Sequence, residues 1–129
     1  MNIDDVISRI AELKERIRKY KGIIETLKNA RDYIKERQKR IEEYFYAPLT
    51  IFDMTRGQEW KGKCEKDAEK AQENICEATK EGLMQTSQLL AYIQAAIEKL
   101  DSLIEECEDE LEELKSLRDS MLEAPATTM

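Results

Sequence analysis

The sequence predicts an all-α protein: an elongated antiparallel two-helix hairpin of coiled-coil type that forms a single domain. Only four glycines and two prolines occur in 129 residues, so turns are few and the helices must be long. β-Sandwiches, barrels and doubly wound α/β folds are excluded, because they need frequent turns. Charged residues make up 38% of the chain, well above the roughly 25% of an average domain. This composition favours helices with a narrow apolar seam.

The first helix is predicted over about 3–46 from an uninterrupted seven-residue repeat. Eleven of the thirteen a and d positions between Ile3 and Phe45 are apolar, which is the pattern of a helix that packs along one seam. The two exceptions are Arg31 and Gln38. These side chains either lie in solvent or fix the register with one partner, and the sequence leaves both interpretations open.

Residues 47–59 interrupt this repeat and are predicted to form the turn of the hairpin. Pro48 disfavours helical geometry in the residue before it, and the apolar stretch that follows is expected to fold back over the hairpin end. Thr55 and Gln58 have the spacing of a capping box, in which two side chains bond to the backbone at the start of a helix. The second helix is therefore expected to start between residues 56 and 63.

The second helix is predicted over about 60–122, followed by a frayed tail over 123–129. Pro125 marks its end, because a proline cannot continue the backbone hydrogen-bond pattern. The apolar pattern changes register between Gly82 and Ile93, and the first part of the seam uses small residues that would let the first helix approach closely. The predicted seam residues of this part are Ala68, Ala71, Ile75, Ala78 and Gly82, all small except Ile75.

The net charge of −7 is unevenly distributed along the chain. Residues 1–46 hold 12 basic and 9 acidic residues, whereas residues 64–129 hold 6 basic and 17 acidic residues. A hairpin that folds near residue 53 brings the basic end of the first helix beside the acidic start of the second, which disfavours slipped alternatives. The acidic balance opposes a nucleic-acid partner.

With that folding point, about twenty residues of the second helix extend beyond the start of the first. An apolar stripe with acidic flanks runs along this segment, and an exposed stripe of this kind usually marks an interface. We therefore predict that it binds a partner helix with an apolar seam and basic flanks. The alternative is that the turn shifts the pairing, so that the first helix covers more of the second. The predicted partner-binding residues are Ile104, Cys107, Leu111, Leu114, Leu117 and Met121.

The composition argues against catalysis. The chain has no histidine, which excludes Ser-His-Asp and Cys-His nucleophiles and histidine-ligated metals. Cys64, Cys76 and Cys107 form no C-x-x-C pair and are expected to be reduced. No catalytic residue, cofactor or metal is predicted. The sequence has no stretch typical of a membrane helix or a secretory signal peptide, so cytoplasmic synthesis without membrane insertion is expected.

Trp60-Lys61-Gly62 stands at the junction of the two predicted helices. An indole at this place can cover the open end of the interhelical seam, and a glycine lets the chain pass closely. A short, acidic, histidine-free hairpin with W-x-G at its turn resembles the small W-x-G proteins of type VII (ESX) secretion. The basic, tyrosine-bearing first helix is most similar to the accessory proteins of LXG-type toxins in Gram-positive bacteria.

This resemblance implies a non-enzymatic targeting chaperone that binds the helical N-terminal domain of an LXG-type toxin, with a second small helical accessory as a further partner. The family's export signal, Tyr-x-x-x-Asp/Glu, does not occur in the chain. Either the partner supplies the signal for export or the protein stays in the cytoplasm. The alternative function is a generic coiled-coil scaffold or adaptor that forms helical bundles with itself, as a homodimer, or with a partner.

Overall fold

The protein is all-helical, as the sequence predicts, and two long helices make up most of it. A computed structural model describes residues 1–52 and 62–127, with side chains as far as residue 123. No strand occurs in these described segments. The elements in chain order are α1 (Ile3–Ile41), a π-helical turn (Glu42–Tyr46), the short α2 (Ala47–Ile51) and α3 (Lys63–Thr127).

The start of α1 is fixed by a reciprocal pair of hydrogen bonds. The backbone N–H of Asp5 donates to the Asn2 Oδ1 atom over 2.9 Å, and the backbone N–H of Asn2 donates to the Asp5 Oδ2 atom over 3.3 Å. These bonds satisfy N–H groups that have no partner inside the helix. The heptad then predicts the buried side of α1 correctly from Val6 as far as Gln38, since its a and d positions are the buried or half-buried ones.

The end of the first helix differs from the prediction, because the chain stays helical as far as Ile51 instead of turning at residue 47. Pro48 has no N–H, and its ring would clash with the carbonyl four residues earlier in an α-helix. The π-helical turn just before it avoids this clash, since the N–H of Ala47 bonds to the carbonyl of Glu42, five residues back. The wider turn also rotates the seam. Tyr46 is therefore half-buried, while Phe45, the heptad position, is exposed.

The carbonyl end of α2 is held by a side chain of α3. The Gln72 Nε2 atom donates to the carbonyls of Leu49 and Phe52 over 2.6 and 2.8 Å. The last carbonyls of a helix lack intrahelical partners, so this amide completes the hydrogen bonding where α2 ends. The predicted turn over 47–59 is thus helical at its start. Its remainder from residue 53, including the Thr55 capping box, lies outside the described residues.

The third helix starts at Lys63, directly after a residue with left-handed backbone geometry. Gly62 has φ +76°, and its carbonyl accepts the hydrogen bond of the Lys66 N–H over 3.2 Å. A glycine suits this position because a side chain would be strained at such a φ. The glycine of the W-x-G sequence therefore ends the connection and opens α3. Trp60 lies outside the described residues, so its predicted role at the turn stays a prediction.

At its other end, α3 continues to Thr127, past the predicted end at 122. Pro125 removes one N–H donor, but its fixed φ of about −65° is itself helical. The backbone of residues 123–127 is thus helical, whereas the sequence predicts the end of the helix at 122.

Two compact units divide the chain, and each contains segments of the two long helices. Unit 1 comprises Met1–Asn29 and Gln94–Met129, and unit 2 comprises Ala30–Ile93. Unit 1 holds a close-packed apolar seam. All the buried hydrophobic residues of the described part of the chain belong to it: Val6, Ile10, Leu13, Ile17, Ile24, Ile97, Ile104, Cys107 and Leu111.

The helices of unit 1 pair in a different register from the one predicted. Arg9 forms an ion pair with Glu110, with the Arg9 Nε atom 3.1 Å from Glu110 Oε1. Residue n therefore lies opposite about 119 − n, whereas a fold at residue 53 predicts 106 − n. The difference arises because residues 47–51 continue as helix, which moves the connection later in the chain.

The predicted seam of the first part of α3 is wrong for four of its five residues, and only Ala68 is half-buried. Ala71, Ile75, Ala78 and Gly82 are exposed, and the half-buried side chains belong to a neighbouring stripe. This stripe has one unbroken seven-residue spacing, so the predicted register shift is absent. The half-buried residues of α3 in unit 2 include Gln72, Cys76, Thr79, Leu83, Thr86 and Leu90.

Candidate binding surface

The residues predicted to bind a partner lie mostly inside unit 1. Ile104, Cys107 and Leu111 are 8–9% exposed, and Leu114 and Met121 are half-buried. Only one of the six, Leu117, is exposed, at 43%. The prediction of a bare stripe is therefore wrong for Ile104, Cys107, Leu111 and Leu114, because the shifted register places the start of α1 against them. Ile3 lies opposite about residue 116 in this register, so α3 from residue 117 onward still extends beyond the start of α1. The alternative, that the first helix covers more of the second, is confirmed.

Unit 2 has the opposite character. None of its described residues is buried, although many large apolar side chains lie within it. Apolar surface left in water favours association with a partner. The exposed large hydrophobic residues of unit 2 are Tyr33, Ile41, Tyr44, Phe45, Ile51, Phe52, Ile75, Met84, Leu89 and Tyr92.

A polar residue in the seam joins the helices of unit 2. The Gln38 Nε2 atom donates to the Leu83 carbonyl over 3.1 Å and to the Ser87 Oγ atom over 2.8 Å. A buried or half-buried polar side chain can set the register of paired helices. Of the two interpretations open for Gln38, the structure therefore supports a register-setting role, with α3 of the same chain as the partner. Arg31 is half-buried and forms an ion pair with Asp32 over 3.1 Å.

A groove with a volume of about 480 Å³ runs between α1 and α3 on one side of unit 2. Small side chains line much of the α3 side of this groove. A Cβ atom added at Gly82 would meet no atom within 4 Å, so a partner side chain has room there. We call this the unit 2 groove. Its lining comprises Tyr33, Ile34, Arg37, Gln38 and Ile41 of α1 and Thr79, Gly82, Leu83, Thr86 and Leu89 of α3.

The charge at the edge of the unit 2 groove comes from arginine. The Arg37 guanidinium carbon lies 5.1 Å from the centre of the Tyr33 ring, within the range of a cation–π contact. Every other arginine in the described part of the chain forms an ion pair with a carboxylate, whereas Arg37 has none there. Arg40, one turn further along, is paired with Glu36 over 2.8 Å.

The opposite side of unit 2 combines charged side chains of both signs with apolar ones, including the exposed Met84. Two shallow depressions there are lined by Lys35, Lys39, Glu42 and Lys80 in addition to apolar side chains. Charged side chains of both signs are typical of a solvated helix face. The two sides of unit 2 therefore differ in charge, because the lining of the unit 2 groove has one charged residue, Arg37, and no acidic one.

Ion pairs perturb a few ionisable groups in unit 1. The hydrogen bonds that Arg9 donates to Glu110 and, to a lesser extent, to Glu12 raise the pKa of Arg9 above its ordinary value. The Arg18 guanidinium lowers the pKa of Glu15, and Glu15 in turn raises the pKa of Arg18. These groups lie on the outer surface of the helices, and their shifts follow from pairing between neighbouring charges.

The thiols of the chain are free and differ in access: Cys64 is exposed, Cys76 is half-buried and Cys107 is buried. Within the described segments, no group of three or more His, Cys, Asp or Glu side chains is arranged to hold a metal ion. None of the described helices combines the length and the apolar character needed to cross a membrane.

Comparison of the chain with protein-family models, with curated proteins and with solved structures gives no match.

Proposed function

We propose that the chain is a non-enzymatic helical accessory protein, a targeting chaperone that binds the helical N-terminal domain of an LXG-type toxin for type VII secretion. The observation that carries the binding role is the contrast between the two units. Unit 1 buries an apolar seam of its own, whereas unit 2 has no buried residue in its described part and leaves ten large apolar side chains and a groove exposed. A helix-lined groove of this kind is a usual site for an amphipathic helix.

The link to type VII secretion is supported by the W-x-G sequence and by the place of its glycine. Gly62 has positive φ and immediately precedes α3, which is the junction that the resemblance to W-x-G proteins implies. The paired long helices and the predominantly acidic composition also agree with that family. Export with the toxin, and a second small helical accessory in the complex, are parts of the same proposal.

The proposal is tested by co-expressing the full chain with the N-terminal domain of an LXG-type toxin encoded beside its gene. We expect the two proteins to co-purify as a complex of defined mass. In the host, deletion of the chain should reduce the amount of toxin in the medium, and loss of the secretion ATPase should abolish export. Failure of every neighbouring LXG domain to form a complex would refute the toxin-accessory function.

Substitution of two leucines with similar exposure tests whether the toxin domain binds unit 2 or the stripe at the end of α3 that the sequence predicts. Leu89 in unit 2 is 48% exposed and Leu117 in unit 1 is 43% exposed. Leu89→Glu should weaken toxin binding because it places a charge in the apolar groove, whereas Leu117→Glu should leave binding unchanged. If Leu117→Glu weakened toxin binding and Leu89→Glu did not, the interface would lie at the end of α3.

A generic scaffold or adaptor remains the second candidate, because exposed apolar surface in unit 2 would also be covered by self-association. Sedimentation equilibrium of the purified chain separates the two functions. The accessory function predicts a monomer that becomes a heterocomplex with the toxin domain. A concentration-independent homodimer that does not bind the toxin domain would favour the scaffold.

A further inference from the structure

We infer that the unit 2 groove binds a partner helix with large apolar side chains along one stripe and carboxylates along the flank that faces α1, where Arg37 lies. The inference rests on the proposed function in one respect, since it specifies which kind of helix the accessory protein recognises. It differs from the sequence prediction, which placed a basic-flanked partner on the end of α3.

The shape of the groove determines the apolar part of this partner. Gly82 leaves open space in the α3 wall, and Thr79 and Thr86 lie about one turn before and after it, while the adjacent Leu83 also lines the groove and is half-buried. Large exposed side chains, Ile41 and Leu89, stand on either wall. Small residues in the centre and large ones at the edges form a hole that accepts a large side chain, as in knobs-into-holes packing. A stripe of leucine-sized residues is therefore the complement.

The charged residues beside the groove determine which charges the flank of the partner helix should carry. On α3, the residues that share the outward face of Gly82 and Leu89 by helical spacing carry no charge: Ile75, Ala78, Gln85 and Tyr92. On α1, Arg37 is stacked on Tyr33 and has no carboxylate partner among the described residues. A partner carboxylate at this edge gains an ion pair that docking partly shields from water, whereas a lysine there would be repelled.

A second copy of the chain fits this chemistry less well. A symmetric contact brings the same patch of both copies together, so the Arg37 side chains of the two copies would approach each other, with no acidic residue in the groove lining to meet them. The acidic end of α3 could supply carboxylates, but its apolar residues Ile104, Cys107 and Leu111 are already buried in unit 1 and are not available to fill the groove of another copy. The charges therefore favour a separate, acidic-flanked helix.

The experiment uses two synthetic amphipathic peptides of about three heptads, both with leucines at the a and d positions. One carries glutamates along one flank, and the other carries lysines at the same places. Each is titrated into the full, isotopically labelled chain and followed by NMR at low ionic strength. We expect the acidic peptide to bind about three- to tenfold more tightly and to shift the amides of Thr79, Gly82 and Thr86 most.

Charge reversal tests the role of Arg37 directly. Arg37→Glu should exchange the preference, so that the lysine peptide becomes the tighter ligand, and the thermal unfolding of the chain should change little. Lys35→Glu is the matched control, because Lys35 lies on the opposite side of unit 2 and should leave the preference as it is. Equal binding of the two peptides, or an unchanged preference in the Arg37 variant, would overturn the inference.

A pair of glycine substitutions separates loss of binding from loss of folding. Gly22 and Gly82 both lie inside helices with open space at the Cβ position, and each accepts a hydrogen bond from a threonine four residues later. Leucine forms helices better than glycine, so Gly82→Leu and Gly22→Leu should both keep or raise the melting temperature. Gly82→Leu should weaken binding of the acidic peptide by more than about tenfold, since the new leucine side chain fills the groove. Gly22→Leu should have no effect on peptide binding.

The outcomes also distinguish this inference from the proposed function. Binding of the acidic peptide in the groove without binding of any LXG domain refutes the toxin-accessory function and leaves the groove chemistry standing. Binding of an LXG domain that Gly82→Leu does not impair refutes the groove chemistry alone. Absence of peptide binding, amide shifts confined to unit 1, or self-association that Gly82→Leu abolishes would each overturn the inference.

Discussion

Arg9 and Glu110 lie opposite each other across unit 1, and two hydrogen bonds join the guanidinium to the carboxylate over 3.1 and 3.2 Å. The pair marks the register of α1 and α3 in this unit. Both side chains remain partly exposed, at 28% and 43%, so water and salt screen their attraction. Its position is informative about register, but the apolar seam beneath it must supply most of the stability of unit 1.

The first prediction compares this ion pair with the apolar seam. Arg9→Gln combined with Glu110→Gln should lower the free energy of unfolding only slightly. The effect should shrink further in 1 M salt, where the Debye screening length is about 3 Å. Leu13→Ala should cost about 2–5 kcal/mol, since Leu13 is fully buried and its truncation leaves a cavity. Urea unfolding followed by circular dichroism measures both. A larger loss in the ion-pair variant than in Leu13→Ala would contradict this order.

The second prediction concerns the difference in local stability between the units. Amide hydrogen exchange should be slow in the helices of unit 1 around Leu13 and Ile104, because opening them exposes buried apolar side chains. Exchange should be faster in unit 2 around Ile34 and Leu83, which are only half-buried. Mass spectrometry of exchanged peptides gives the comparison. Equal protection in the two units would show that burial in the isolated chain does not determine where it opens.

Much of unit 1 was predictable, because its packing uses the simplest sequence signal. Val6, Ile10, Leu13 and Ile17 occupy heptad positions, and all four are buried. The register was not predictable from the same signal. The break in the heptad near Pro48 predicts a turn, but a π-helical turn accommodates this proline and the helix continues to Ile51. Each added helical residue moves the folding point along the chain and changes every pairing between the helices.

The unit 2 groove was hidden for a different reason. In this part of α3, two apolar stripes lie side by side, and Thr79 and Thr86 interrupt the one that faces α1. The small-residue stripe through Ile75 and Gly82 therefore looked like the seam, although it faces outward. Arg37 gave no separate signal, since a charged residue beside a seam is normally solvated. Two overlapping stripes on one helix are the sequence feature that could have indicated a second packing surface.

The third prediction uses the three thiols as probes of burial. With a small alkylating reagent, the rate of modification should fall in the order Cys64, Cys76, Cys107, because their access to solvent falls in that order, and reaction requires an accessible thiolate. Mass spectrometry after timed quenching measures each site separately. Denaturant should remove the differences. Fast modification of Cys107 in the native protein would mean that the end of α3 does not stay packed in unit 1.

The last prediction concerns the glycine of the W-x-G sequence. Gly62 has φ +76°, and a Cβ atom there would meet nothing within 4 Å, so the backbone conformation and not the available space selects glycine. Gly62→Ala should therefore destabilise the start of α3 by about 1–2 kcal/mol, the cost of left-handed geometry for a residue with a side chain. Gly22→Ala is the matched control, because Gly22 has normal helical geometry and equally open space. It should stabilise the protein by up to about 1 kcal/mol. Urea unfolding of both variants shows the opposite signs. If Gly62→Ala also stabilised the chain, the connection would not hold this residue in the left-handed region, and the glycine would have to be explained by contact with a partner.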